Sequence, residues 1–241
     1  MTRGPDWVCR QLEPFVSQSR IARIEKVLEQ RITGLTVGLV RLYDPHNGAA
    51  VIRTAEAMGL SEIHAAQGDG LPFRVSPKVT IGCEKWISVQ RYPDTATMAR
   101  ALHTRGFRLW AAVVEGAHEL SDIPLDGQVA LIFGNERDGL SEEDQSACDE
   151  TFRLPMWGFT QSYNLSVSVG MTLMTLVPKL RARLAGRGDL EESERNRLRA
   201  IWMAKSVKAA DGILARAIEN ESSPQCAERP AGRRGPDTRS W

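Results

Sequence analysis

Cysteine and histidine are both sparse. The four cysteines (Cys9, Cys83, Cys148, Cys226) are widely spaced along 241 residues and form no C-x-x-C pair. A disulfide framework or a cysteine-ligated zinc site is therefore not expected, and reduced thiols are. The four histidines (His46, His64, His103, His118) are just as scattered, so no metal centre is expected either. No stretch approaches the ~20 apolar residues of a membrane span, and the N-terminus has no long apolar run. A cytoplasmic location without membrane contact is the expectation. Phosphate-binding glycine loops are missing too. No G-x-G-x-x-G joins a strand to a helix, and Gly68-Asp69-Gly70 runs straight into Leu71-Pro72. With no G-x-x-x-x-G-K-[ST] and no H-E-x-x-H, the common nucleotide and zinc-protease chemistries are disfavoured.

What is present is enough apolar material, 42% of residues, to bury one substantial α/β core. Charge is unevenly placed. Residues 32–178 carry a net −6, residues 179–208 a net +5, and residues 1–31 a net +2. Basic helical flanks around an acidic core suit a polyanion held by the flanks, although solvated, ion-paired helices also have this composition.

Periodicity predicts about six strands, at 35–42, 62–66, 86–90, 107–114, 129–133 and 151–155. Helices are expected at 20–31, 48–58, 76–82, 95–105, 165–177 and 190–217. This alternation predicts an α/β fold, a mostly parallel sheet with helices on both faces. The organisation expected is an N-terminal arm and helix (1–31), a core (32–183), a basic helical extension (184–218) and a disordered tail (219–241).

Three segments stand out at strand ends. In the first, Pro45-His46-Asn47-Gly48 leads into a helix that Asn47 can cap and Gly59 can close, with Arg53 among Ala, Val, Ile and Thr. A guanidinium in such surroundings needs a partner, and a structural ion pair is one reading of it. In the second, the apolar run 129–133 enters Gly134-x-Glu136-x-x-Gly139, then Ser141-Glu142-Glu143-Asp144 opens a helix. In the third, Leu154-Pro155-Met156-Trp157-Gly158 precedes Gln161-Ser162-Tyr163-Asn164-Leu165-Ser166-Val167. Ser162 and Asn164 stand where helix N–H groups lack partners; ordinary capping is the plain reading of that pair.

In this order the three segments resemble the motifs of the SpoU branch of the SPOUT RNA methyltransferases, and most of all its TrmH type, the tRNA guanosine-2′-O-methyltransferases. The resemblance spans about residues 21–183. It implies a core whose C-terminal part is threaded as a trefoil knot, S-adenosylmethionine as cofactor, tRNA as partner and a homodimer. It also implies methylation of the ribose 2′-hydroxyl of guanosine 18 in the D-loop. An rRNA or another tRNA position, or a non-catalytic RNA-binding protein on the same scaffold, are the alternatives.

By resemblance, Gly134, Leu154 and Tyr163 hold the cofactor, with Ala112 lining the adenine side. Arg53 is the catalytic residue, supported by Asn47, Glu136, Ser162 and Asn164, with Glu136 the natural partner of a buried guanidinium. Arg53 either acts as a base or stays cationic and orients the hydroxyl. His46, Arg181 and Arg183 are the candidate RNA contacts. Tyr163 stands where a leucine is more usual, and Tyr43-Asp44 identifies no RNA.

Overall fold

A computed structural model describes residues 3–67 and 77–222. Strand β1 (Leu35–Val40) is buried at every position, the signature of a strand covered on both faces. Helix α3 (Pro45–Met58) carries the chain to β2 (Glu62–Ala66). After the short α4 (Pro77–Thr80) come β3 (Ser88–Tyr92), α5 (Thr95–Thr104), β4 (Phe107–Ala112) and β5 (His118–Glu119). Then follow β6 (Gln128–Phe133), α6 (Glu142–Ser146), β7 (Glu150–Arg153) and α7 (Leu165–Arg183). The sheet order is β3-β2-β1-β6-β4-β7-β5, and every pairing is parallel.

Side chains alternate between the two faces, as a strand period of two demands. Val129, Leu131 and Phe133 of β6 join α3 and α7 in one core, while Ala130 and Ile132 join α5 in the other. A third cluster lies beyond the sheet. Helices α1 (Pro5–Leu12), α2 (Gln18–Leu28), α8 (Glu192–Ser206) and α9 (Ala210–Ser222) bury Leu12, Ile24, Leu28, Trp202 and Met203 together. The two flanks of the chain thus form one helical layer.

Several boundaries differ from the sequence expectation. There are seven strands among the described residues; β5, only two residues long, has no periodicity to read. Helix α3 begins at Pro45 and is capped by Asp44, whose carboxylate accepts from His46 N at 2.8 Å, so Asn47 is not the cap. The N-terminal flank is two helices, and so is the segment expected at 190–217. Helix α7 continues through Pro178 to Arg183, because Leu176, Val177 and Leu180 remain buried on either side of the proline. Residues 219–222, expected in a disordered tail, complete α9; Glu221 accepts from Trp7 Nε1 at 2.8 Å and pairs with Arg3. The Gly68–Gly70–Pro72 loop, the start of the 76–82 helix, Cys226 and residues 223–241 lie outside the described residues.

Two arginines fasten the C-terminal end of α3, which Gly59 closes in the left-handed region at φ 90°. Arg31 is fully buried; its Nη1 donates to the carbonyls of Leu60 (2.7 Å) and Glu56 (3.3 Å). Its Nη2 donates to the Glu56 carboxylate at 2.8 Å and to Trp86 O at 3.0 Å. Arg181 reaches in from α7: Nη1 donates to Gln30 Oε1, and Nη2 to the carbonyls of Gln30 and Met58, each at 3.0 Å. This corrects the expectation for Arg181. Its guanidinium caps backbone carbonyls inside the chain and is not presented to a polyanion. Arg183, two residues on, is exposed.

A second fastening holds the loop after β1. Arg41 ends that strand at φ 50°, and its guanidinium grips Asp144 on α6 at 3.0 and 2.5 Å. Asp144 also accepts from Thr95 Oγ1 (2.6 Å), Ser141 N (2.8 Å) and Ser141 Oγ (2.6 Å). Burial pushes this carboxyl up, but the hydrogen bonds from Arg41, Ser141 and Thr95 outweigh it and hold the pKa at about 2.

Two outcomes follow. Arg181→Ala is expected to lose about 1.5–3 kcal/mol of stability, read as a lower urea midpoint with an unchanged slope, because charged hydrogen bonds to carbonyls are withdrawn. Asp144 has a depressed folded-state pKa, so its stabilisation is complete above the ordinary value of 3.8 and disappears as pH falls through about 2. Urea midpoints followed from pH 5 downward should fall less steeply in that window for Asp144→Asn than for the parent.

Candidate active site

In an open α/β sheet the crevice lies outside the carboxyl ends of the strands where chain order reverses. Here β1 sits beside β6, and the loops after β4, β6 and β7 surround a cavity of about 1060 Å³. Ala112 and Val113 line it from the β4 side, Gly134 and Glu136 from β6, and Leu154, Trp157, Ser162 and Tyr163 from β7. All four residues expected to hold the cofactor (Ala112, Gly134, Leu154, Tyr163) are therefore on one wall system.

The loop after β6 is folded back on itself. Asn135 Oδ1 accepts from Arg137 N and Asp138 N at 2.8 Å each, and Gly139 N donates to Asn135 O at 3.1 Å. A Cβ at Gly134 would strike the backbone of Gly139 and Leu140, so only glycine permits this turn. On the opposite wall the Tyr163 hydroxyl donates to Pro155 O at 2.8 Å and fixes the loop it belongs to. That is the structural use of the ring in place of the expected leucine.

The three sequence motifs meet through a hydrogen-bond chain. Asn47 Nδ2 donates to Glu136 Oε1 at 2.5 Å, and Asn164 Nδ2 donates to Asn47 Oδ1 at 3.1 Å. Asn164 meanwhile caps α7, accepting from Ser166 N at 2.9 Å and Ser166 Oγ at 2.7 Å. Its side chain is thus both the cap of α7 and a link to Asn47. Ser162 lines the cavity and takes no part in the chain.

Arg53 departs from expectation. It is exposed on α3 and makes no hydrogen bond or ion pair among the described residues. Glu136, the anion anticipated for it, is engaged by Asn47 instead. Arg53 shares an open face of α3 with His46, seven residues earlier and also exposed. Neither lines the cavity.

Sequence reasoning missed several wall residues. Arg153 of β7 lines the cavity, pairs with Glu119 and donates to Gly116 O at 2.7 Å. Gly116 passes so close to β7 that a Cβ would meet the backbone of Phe152 and Arg153. A glycine in a loop was the only sequence signal of that crossing. The wall also carries Glu115, Glu119, Glu136 and Asp138 against Arg137 and Arg153, with Phe133, Leu154, Met156 and Trp157 as apolar surface. Such a lining suits a ligand that combines a flat apolar ring with a cation. Burial pushes the Cys148 thiol up to about 12 and raises Cys83 as well, which leaves both poor nucleophiles. Among the described residues, no His, Cys, Asp and Glu group converges on a metal position, and no helix is long and apolar enough to cross a membrane.

Comparison with known proteins agrees with this geometry. The model of the SpoU rRNA Methylase family matches residues 34–174, which include the three motifs and the cavity. A tRNA (guanosine(18)-2′-O)-methyltransferase of Borreliella burgdorferi is 33% identical over 198 residues, 82% of this chain and 90% of that protein. The crystal structure of the A. aeolicus TrmH/SpoU tRNA modifying enzyme superposes with a TM-score of 0.71 at 25% identity, covering 79% of this chain and 98% of that one. An AdoMet-bound rRNA methyltransferase from Sinorhizobium meliloti superposes at 0.54 with 28% identity, over 65% of this chain and 57% of that one. With its family match covering more than half the sequence and its motifs assembled around one cavity, the chain belongs to the SpoU methylase family.

Proposed function

We propose that the chain transfers a methyl group from S-adenosylmethionine to the ribose 2′-hydroxyl of guanosine 18 in the D-loop of tRNA. The observation that carries the reading is the Glu136–Asn47–Asn164 hydrogen-bond chain, which ties all three motifs together with Glu136 on the cavity wall. The choice of tRNA and of guanosine 18 rests on the relatives that bear that name. A cytoplasmic location fits such a substrate.

The cavity suits S-adenosylmethionine, which supplies a methyl already activated on a sulfonium cation. Gly134, Leu154 and Tyr163 would hold it through backbone groups, Ala112 would line the adenine side, and the wall carboxylates favour a cation. The chain's own task is then to position and activate a poor nucleophile. Arg53, an exposed guanidinium, orients the ribose hydroxyl beside an RNA phosphate; His46, on the same face of α3, takes a neighbouring phosphate. Asn47, Glu136, Ser162 and Asn164 hold the ribose and keep the loops in register. Arg183 remains an RNA contact on the flank.

Within a single chain Arg53 and the cavity do not adjoin, which supports a homodimer in which one subunit's Arg53 faces the other's cavity. A surface for it is available. Val167 and Met174, two turns apart on α7, are 47% and 63% exposed, and Trp157 and Phe159 are exposed in the loop before that helix. The division into a catalytic core at 32–183 and RNA-holding flanks belongs to the same reading. The passage of Gly116 over β7, which lies between β4 and β5, supports a knotted core.

The test is methyl transfer from labelled S-adenosylmethionine to unmodified tRNA transcripts carrying guanosine or 2′-deoxyguanosine at position 18. Transfer is expected with the ribose form alone, and Arg53→Ala should abolish it without releasing the cofactor. Transfer to rRNA fragments and none to tRNA would keep the chemistry and replace the substrate. Cofactor binding absent altogether would overturn the enzyme reading in favour of an RNA-binding protein.

A further inference from the structure

One aromatic ring beside the motif network lies outside the apolar cores. Tyr43 lies in the loop between β1 and α3, four residues before Asn47, and belongs to none of the three apolar clusters. The Arg137 guanidinium carbon sits 3.7 Å from the ring centroid, which covers one face, while 51% of the residue remains open to solvent. Both ends of this stack are fixed. Arg137 N is held by the Asn135 side chain at 2.8 Å, and Arg137 follows Glu136, which grips Asn47 at 2.5 Å. On the other side Arg41, two residues before Tyr43, is clamped to Asp144. The ring is thus an aromatic plate backed by a cation, set at a constant place relative to the hydrogen-bond chain.

Arg137 lines the cavity and Tyr43 does not, so the ring's open face points to a ligand other than the one in the cavity. A flat π-surface with a guanidinium behind it matches a nucleobase, which stacks on aromatic rings whatever its identity and brings a phosphate that the cation attracts. We infer that Tyr43, backed by Arg137, is the stacking platform for the base of the nucleotide being methylated. The inference rests on the RNA methyltransferase reading above and adds to it the residue that grips the target base. With the base on Tyr43, the ribose lies toward Asn47 and its partner Glu136 on the cavity wall, where its hydroxyl is needed.

Binding of fluorescent tRNA to the parent, Tyr43→Ala, Tyr43→Leu, Tyr43→Phe and Tyr43→Trp tests this, alongside cofactor binding and sedimentation velocity. Loss of one base stack corresponds to about tenfold or more in the Kd for RNA. The Ala and Leu variants are expected to show that loss, while Phe and Trp stay within about twofold of the parent, since they keep the π-face. Cofactor Kd and oligomeric state should not change. The same comparison with an abasic residue at the methylated nucleotide should show parent and Tyr43→Ala binding alike.

Equal binding by Leu and Phe variants, or a Tyr43→Ala defect that persists on abasic RNA, would overturn the platform. So would a shift in oligomeric state, because Tyr43 would then be a subunit contact. A parent that methylates tRNA while Tyr43→Ala binds it normally removes only this inference. A parent that neither binds cofactor nor methylates RNA removes the reading beneath it.

Discussion

The last turn of a helix exposes carbonyls that its own hydrogen-bond ladder cannot reach, and in α3 two arginines from outside the helix reach this end. Arg31 from the end of α2 and Arg181 from α7 supply the missing donors, to Glu56, Met58 and Leu60 of that turn and to Gln30 next to it. A side chain at Gly59 would collide with Arg181, so the glycine is required by the clamp as well as by its own positive φ. Each buried carbonyl left unpaired would cost about 1–3 kcal/mol. The clamp therefore sets how α2, α3 and α7 sit on one another. Helix α3 carries Asn47 at its other end, and α7 carries Asn164 at its start, so the distance between those amides depends on this remote junction.

The same junction changes how the basic flank is understood. Residues 179–208 count as strongly cationic. Much of that charge has internal work: Arg181 caps carbonyls, Arg199 grips Glu25 with two hydrogen bonds, and Arg197 does the same to Glu194. A salt-dependent RNA contact needs guanidiniums that face solvent, which Arg183 does. Net charge describes the long-range field around the helices, and the hydrogen bonds decide which of them can grip a phosphate.

At the sheet's carboxyl edge, geometry assembles what no single segment contains. Strand order reverses between β1 and β6, and loops from the neighbouring β4, β6 and β7 wall the cavity. Two glycines make the close approaches possible: Gly134 under Gly139, and Gly116 over the backbone of β7. The Arg41–Asp144 bridge ties the β1 loop to α6, and the Asn47–Glu136 bond ties α3 to the β6 loop, so the site's framework rests on polar contacts.

Much of this was legible in the residues themselves. Apolar runs marked six of the seven strands, Gly59 marked the end of α3, and Ser141 with Asp144 marked the start of α6. The ordered motifs brought the cavity residues Gly134, Leu154 and Tyr163 and the Asn47, Glu136 and Asn164 network into view. Those features are local, because periodicity and capping are set by neighbours within a turn or two. What only the tertiary structure decided is which charges are free. Arg53, for which a buried ion pair was one reading beside the catalytic one, faces solvent, whereas Arg181, expected at the surface, is turned inward onto Met58 and Gln30. An arginine side chain spans several ångströms, and its partner is whichever carbonyl or carboxylate the packed elements bring within reach. That reach crosses more than a hundred residues of sequence here, so the packing assigned the partners.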